Sequence, residues 1–385
     1  MKRKWMGKQI TFGLFFLFLM AGCRQGEAKL SEVAQNTEEE SKTKLSEVAQ
    51  NTEEESKYGV GQVKASESDN EDTQEKYDFT ICFAGDISLD EKAVTTANLD
   101  ANDGDISKCI SEELIREMQQ ADLMCLNNEF TYSTNGSPLE GKAYTFRANP
   151  NRVEVLEELG VDVVGLANNH VYDYGKQALL DTFATLEEAG IPYVGAGHNL
   201  EEAMEPYYTE IDGKTIAIVA ASRAEKNKMT PQATETEPGI LRCYDTELFL
   251  QEIAEAKEQA DFVIAFVHWG TEYSTVLEEV QLSTGKEYLD AGADVVIGAH
   301  SHCLQGVEYY EGKPIFYSLG NYWFNGKTLD TMLVKLHFYG NENEQQLEAQ
   351  IVPALQKNAT TTIITDEVEK EAFFEKWKGF LTRLK

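Results

Sequence analysis

Five apolar runs in this chain stop at side chains that bind ligands rather than pack. Phe79–Ala84 ends in Gly85-Asp86. Leu123–Leu126 ends in Asn127-Asn128-Glu129. Val163–Leu166 ends in Ala167-Asn168-Asn169-His170. Asp261–Val267 ends in His268-Trp269-Gly270, and Asp294–Gly298 ends in Ala299-His300-Ser301-His302. Short apolar runs bounded by turn residues read as buried strands. In open α/β folds, ligands bind in the crevice outside the carboxyl ends of such strands. The pattern therefore constrains both the fold and the place of any site.

Helical spacing separates these strands. Ile106 to Gln120, Pro150 to Leu159, Gly175 to Ala189, Thr246 to Gln259 and Val280 to Ala291 each repeat apolar residues on one helix face. Tyr207 to Ala221 reads as a hairpin around Asp212-Gly213. Further hairpins are expected late, from Val307–Tyr310 with Ile315–Ser318 and from Thr331–Phe338 with Gln346–Val352, before an amphipathic helix over Glu367–Leu384. Strands alternating with helices and then hairpins predict an α/β sandwich with mixed sheets. A hydrophobic share of 42% supplies a sizeable core. A net charge of −32 excludes nucleic acid as a partner, because a polyanion is repelled.

The first 76 residues read as an address and a tether. Lys2, Arg3, Lys4 and Lys8 precede an apolar stretch, Ile10 to Met20, too short for a comfortable membrane span. Leu19-Met20-Ala21-Gly22-Cys23 resembles a bacterial lipobox, so 1–23 is expected to be a lipoprotein signal peptide with Cys23 as the lipidated residue. The expected location is extracytoplasmic, lipid-anchored to the bacterial cell membrane. Residues 24–76 carry a duplicated 14-residue segment, Lys29–Lys42 and Lys44–Lys57, rich in Glu, Ser, Lys, Asn and Gln. Such a composition buries too little surface to offset its ordering entropy, which predicts a disordered acidic tether ahead of a folded part at 77–385. The remaining cysteines, Cys82, Cys109, Cys125, Cys243 and Cys303, are odd in number and form no CxxC pair, against a disulfide framework or structural zinc site.

Asp86, Glu129, Asn169, His268, His300 and His302 stand together at the predicted sheet edge, with Asn128 and His170 beside them. Carboxylates, an amide oxygen and imidazoles are a ligand set for one or two divalent ions such as Mn, Fe or Zn. Bland alternatives exist for each: Asp86 as a cap, Glu129 as a surface carboxylate, His268 as packing beside Trp269. Four of the six histidines fall at this edge, however; only His198 and His337 lie elsewhere. A dimetal centre would bridge an oxyanion and supply a hydroxide near neutral pH. It would also let an acidic protein bind an anion.

Gly85-Asp86, Asn128-Glu129, Ala167-Asn168-Asn169-His170 with Asp173 and Gly175, His268-Trp269-Gly270-Thr271-Glu272-Tyr273, Gly298-Ala299-His300-Ser301-His302 with Gln305, and Tyr317-Ser318-Leu319-Gly320-Asn321 resemble the ordered motifs of the CapA family. These are poly-γ-glutamate capsule synthesis proteins of the calcineurin-like metallophosphoesterase superfamily, and the resemblance runs from about Phe79 to Phe324. It implies a four-layer α-β-β-α sandwich. It also implies that Asp86 and His302 hold one metal, that Asn169, His268 and His300 hold another, and that Glu129 takes the bridging position. His170 would donate a proton to the leaving group or stabilise the transition state. The superfamily's first motif is Asp-x-His; here it reads Asp86-Ile87-Ser88, without the imidazole. Two functions follow: a metal-dependent, phosphoesterase-like hydrolase in capsule or poly-γ-glutamate synthesis, export or anchoring, or a non-catalytic accessory lipoprotein that binds polymer through a vestigial metal site. The implied partners are an anionic polymer or phosphoester substrate and a membrane-embedded capsule synthesis complex. A surface adhesin or structural lipoprotein is a third, weaker option.

Overall fold

Alternation along the strand Lys76–Ile87 divides the molecule's core. Phe79, Ile81 and Phe83 face one side and Cys82 and Ala84 the other, as the two-residue period of a strand requires. The computed structural model describes residues 76–381, apart from 227 and 342. The signal peptide, Cys23 and the tether lie outside the described residues, save Lys76, which opens this first strand.

Two sheets stack face to face. In the first, the order is Thr360–Ile363, Gln345–Lys357, Leu329–Asn341, Lys76–Ile87, Leu123–Asn128, Val163–Gly165 and Tyr193–Val194, with Asn321–Trp323 alongside the end of Lys76–Ile87. In the second, it is Val307–Tyr310, Lys313–Phe316, Val295–Ala299, Phe262–His268, Lys214–Ser222 and Tyr207–Ile211. The strands that end in polar residues pair in parallel within each sheet, and antiparallel hairpins flank them.

Between the sheets, Phe83 meets Phe266 edge-on at 5.6 Å, and Tyr77, Phe79, Phe262 and Phe338 form an aromatic cluster. Each such buried ring contributes roughly 1.5–3 kcal/mol relative to exposure. The outer face of the first sheet carries Leu99, Leu114, Met118, Leu156 and Phe183 from the helices Val94–Ala101, Glu112–Gln119, Glu154–Glu158 and Lys176–Ala189. The outer face of the second carries Phe249, Ile253 and Tyr288 from Glu247–Lys257 and Glu279–Asp290. The result is the four-layer α-β-β-α sandwich. The terminal helix Glu367–Leu381 closes one end of the inter-sheet core with Phe373 and Trp377.

One expected helix is divided. Residues 106–120 give a 3-10 turn, Ile106–Lys108, and then the helix Glu112–Gln119. The break comes from tertiary pairing. Thr361 donates its N–H to the Cys109 carbonyl at 2.8 Å, and Ser111 donates to the Thr361 carbonyl at 2.9 Å. The hairpin at Asp212-Gly213 forms as read, both residues having positive φ. Among the described residues, no helix is long and apolar enough to cross a membrane.

Candidate metal centre

The carboxyl ends of parallel strands from both sheets meet at one edge of the sandwich. Asp86 and Glu129 arrive from the first sheet, and His268 is the last residue of Phe262–His268 in the second. His300 and His302 follow Val295–Ala299 in a turn, both with positive φ, at 87° and 56°. Side chains other than Gly rarely adopt that conformation, and such strain concentrates at functional sites. In this turn the two ring centroids stand 6.0 Å apart.

The six ligand candidates come together, all buried. Glu129, His268 and His300 present ligand atoms within 4.8 Å of one another, and so do Asp86, Glu129 and His302. Glu129 belongs to both groups. Its Oε1 lies 3.5 Å from His268 Nε2 and 3.8 Å from His302 Nε2 and has no hydrogen-bond partner. Asn169 Oδ1 joins the first group, 2.7 Å from His268 Nε2. His302 Nδ1 lies 3.2 Å from Asp86 Oδ2 and 2.9 Å from Asn321 Oδ1.

The electrostatics fit a cation. Burial first, and then the Asp86 carboxylate, push the Glu129 carboxyl well above its ordinary range. Burial and neighbouring imidazoles hold His268 and His300 well below theirs, so both rings are neutral. Neutral imidazole is the form that ligates metal. His300 Nδ1, like Glu129 Oε1, is a buried polar atom with no partner. Orphaned atoms of this kind carry a desolvation cost that a bound ion removes. The donor set of carboxylate, amide oxygen and imidazole fits a divalent first-row metal.

His170 stands beside the two groups. Its Nδ1 is 2.6 Å from Asp173 Oδ2, which turns Nε2 toward Glu129 Oε1 at 3.9 Å. The Phe146 ring covers it at 4.1 Å. Burial lowers its pKa, and Asp173 opposes that shift.

Two neighbouring amides play other parts than sequence reading gave them. Asn128, expected at the edge, donates to the Phe130 carbonyl instead. Asn127 faces the centre: its Nδ2 is within 2.7 Å of Asp86 Oδ1, 3.0 Å of Glu129 Oε2 and 3.3 Å of His268 Nδ1. The two-residue period of Leu123–Asn128 decides which amide points inward: Leu123 and Cys125 face the inter-sheet core, and Asn127 continues that face. Asn168 shapes the turn, accepting from the His170 and Val171 backbone at 3.0 Å each. Ser88, at the position of the missing imidazole, accepts from the Asp90 backbone at 3.3 Å. Lys142 carried no sequence signal. It is buried and pairs with Asp173 Oδ1 at 2.6 Å, while also donating to the Asn169 carbonyl.

The model of the bacterial capsule synthesis protein PGA_cap family matches residues 80–326, well over half of the chain. The chain belongs to this family. It is 35% identical over 218 residues to the PGA biosynthesis protein CapA of Bacillus subtilis, covering 56% of each chain. It is 32% identical over 246 residues to the capsule biosynthesis protein CapA of Bacillus anthracis, covering 60% of this chain and 59% of that one. The chain thus spans little more than half the length of the curated relatives it matches. The solved NAD nucleotidase of Haemophilus influenzae aligns with 78% of this chain and 62% of its own at 14% identity and a TM-score of 0.41. The layer order seen here is the one that the motif resemblance implied.

Proposed function

We propose that this protein is a lipid-anchored, extracytoplasmic member of the capsule synthesis machinery, acting in poly-γ-glutamate synthesis, export or anchoring through a metal-dependent, phosphoesterase-type site. The observation that carries the reading is the pair of ligand groups sharing Glu129, with orphaned acceptor atoms at Glu129 and His300. In this reading, Asp86 and His302 hold one ion. Asn169, His268 and His300 hold the other, and Glu129 bridges. The ion is Mn, Fe or Zn.

A divalent ion bound there supplies Lewis acidity for an oxyanion and lowers the pKa of water. The chain's own residues do the rest. Asn127 ties Asp86, Glu129 and His268 into one arrangement, the outer support that orients metal ligands. Asp173 fixes the His170 ring, leaving Nε2 to transfer a proton to the leaving group or to steady its developing charge. The names of the two Bacillus relatives support the link to capsule polymer, and a membrane-embedded synthesis complex is the partner this implies.

The test is metal analysis of the purified full chain, with phosphomonoester and phosphodiester model substrates. At least one equivalent of Mn, Fe or Zn is expected, lost in His268→Ala and His300→Ala. Unchanged metal content in those variants sinks the site assignment. One observation favours a second reading, a polymer-binding accessory: Ser88 replaces an imidazole and its hydroxyl is engaged by the Asp90 backbone. Metal retention with every tested activity intact in His170→Ala selects that reading.

A further inference from the structure

A cleft of about 360 Å3 opens directly beside His170 and His302. Phe146 and Phe324 wall it, stacked near the two imidazoles and packed edge-on to each other at 5.4 Å. Its rim is unusual for this molecule in two respects. Tyr144 and Tyr273 lie there, 68% and 42% exposed, among the few large apolar side chains left in water. Exposed apolar surface concentrated at a concave site marks binding. The rim also carries two ammonium groups, Lys92 and Lys327, which offset the two carboxylates of the lining, Asp90 and Glu272, on a protein of net charge −32. Lys327 Nζ sits 3.4 Å from the centroid of the Tyr273 ring, a cation–π contact that holds it at the rim. The Lys92 backbone is fixed by Asp90 at 3.2 Å, and that carboxylate is further engaged by the Arg147 backbone.

The lining offers charge of both signs and apolar bulk, with little free amide. Asn325 is the lining's one amide. Its Oδ1 already accepts from Gln356 Nε2 at 3.0 Å and from the Lys327 backbone at 3.0 Å, and its Nδ2 reaches Tyr273 Oη at 3.4 Å. No side-chain amide is left to read a base edge or a sugar hydroxyl pattern. A short aliphatic arm ending in a carboxylate matches the aromatic wall through its methylenes and the lysines of the rim through its charge.

We propose that this cleft is a carboxylate-reading subsite in which Lys92, Lys327 and Tyr273 select a polymer unit with a free carboxylate next to the bond presented at the strand ends. The proposal rests on the functional reading above and names the chain residues that give it its selectivity. The two lysines balance Asp90 and Glu272 in the cleft, so an anion meets less repulsion there than the protein's overall charge would give.

The test is binding of a fluorescent γ-linked glutamate decamer to the full chain, with the metal content of each variant measured in parallel. The double variant Lys92→Gln/Lys327→Gln is expected to bind at least tenfold more weakly with metal content unchanged. Lys92→Arg should retain binding. Lys108→Gln, on the 3-10 turn Ile106–Lys108, lowers the charge by one elsewhere and should bind like the parent. Equal binding by the double variant and the parent overturns the proposal. So does equally tight binding of a glycerol-phosphate oligomer of the same charge, which would make the cleft a reader of charge alone. A parent that holds metal but binds no decamer overturns the subsite and leaves the metal centre standing. Decamer binding that depends on the lysines in a chain without metal does the reverse.

Discussion

Lys142 is a buried cation on a loop, in contact with two residues that matter to the site. Its ammonium pairs with Asp173 and bonds to the carbonyl of Asn169, with Glu225 at 3.7 Å as a third partner. Removing one member of a buried pair leaves the other uncompensated. Lys142→Met should therefore cost about 3–5 kcal/mol in urea unfolding, and adding Asp173→Leu should not recover it, because Asp173 Oδ2 also holds His170 Nδ1 and the Phe146 backbone N–H. A second buried charge behaves differently. Glu252 is 1% exposed, and neither carboxylate oxygen has a hydrogen-bond partner. Burial, then Glu255, raises its pKa well above the ordinary value, so the folded state binds the extra proton. Its contribution to stability is then complete below a pH of about 4.3 and is lost as pH rises through the raised value. Urea midpoints of Glu252→Gln and the parent, compared between pH 5 and 8, should diverge in favour of the variant as pH rises. A constant difference would rule this out. At this scale the sequence was partly legible. Asp86, Glu129, Asn169 and the histidines His268, His300 and His302 stood out as ligand candidates because an apolar run stopping at a polar residue has a position in space. Asn127 did not, because all of Leu123–Leu126 is apolar, so the sequence does not say which alternate face looks to the other sheet. Lys142 did not, because a loop lysine has no period to place it.

Among the elements, the segment Tyr317–Trp323 joins the two sheets: it follows the strand Lys313–Phe316 of the second and ends as Asn321–Trp323 beside Lys76–Ile87 of the first. Leu319 donates to the Gly298 carbonyl at 3.1 Å, Asp86 donates to the Gly320 carbonyl at 2.9 Å, and Asn321 pairs with Asp86 in register. The crossing requires backbone to pass against backbone. A Cβ on Gly298 would stand 2.0 Å from the Tyr317 carbonyl oxygen, and one on Gly85 would stand 2.0 Å from that of Gly320. The Gly320 carbonyl accepts from Asp86 and the Tyr317 carbonyl from Trp269 Nε1 at 2.9 Å, so neither can move without breaking a bond. Gly298→Ala is expected to cost about 1–3 kcal/mol, and more if the backbone cannot yield, because overpacking displaces the frame. Since His300 and His302 lie just beyond, metal stoichiometry should fall with it; a variant with full metal content and parental melting would contradict this account. The glycines and the Tyr-Ser-Leu-Gly-Asn run were visible as motif letters. Their reason was not, since close approach between residues far apart in sequence leaves no local trace. The split of the helix expected at 106–120 has the same origin, in pairing with Thr361 near the other end of the chain.

At the scale of the whole molecule, layer order was the most legible feature. Strand periodicity sorts each residue to an inner or outer face, and helical periodicity supplies the cover, so the sandwich follows from patterns that are local. How the layers are spaced is not local. Half of the ligand candidates hang from the first sheet, as Asp86, Glu129 and Asn169, and half from the second, as His268, His300 and His302. The gap between them is set by what fills the space between the sheets, above all Phe83 against Phe266. Interiors packed at crystal-like density transmit such changes rather than absorb them. The aromatic filling is therefore a gauge of ionic radius. Shaving it, as in Phe266→Leu, should alter the ratio of Mn to Zn affinity in competition measurements, although the changed residue carries no ligand atom. Which ion this protein prefers would then be written in its oil rather than in its ligands.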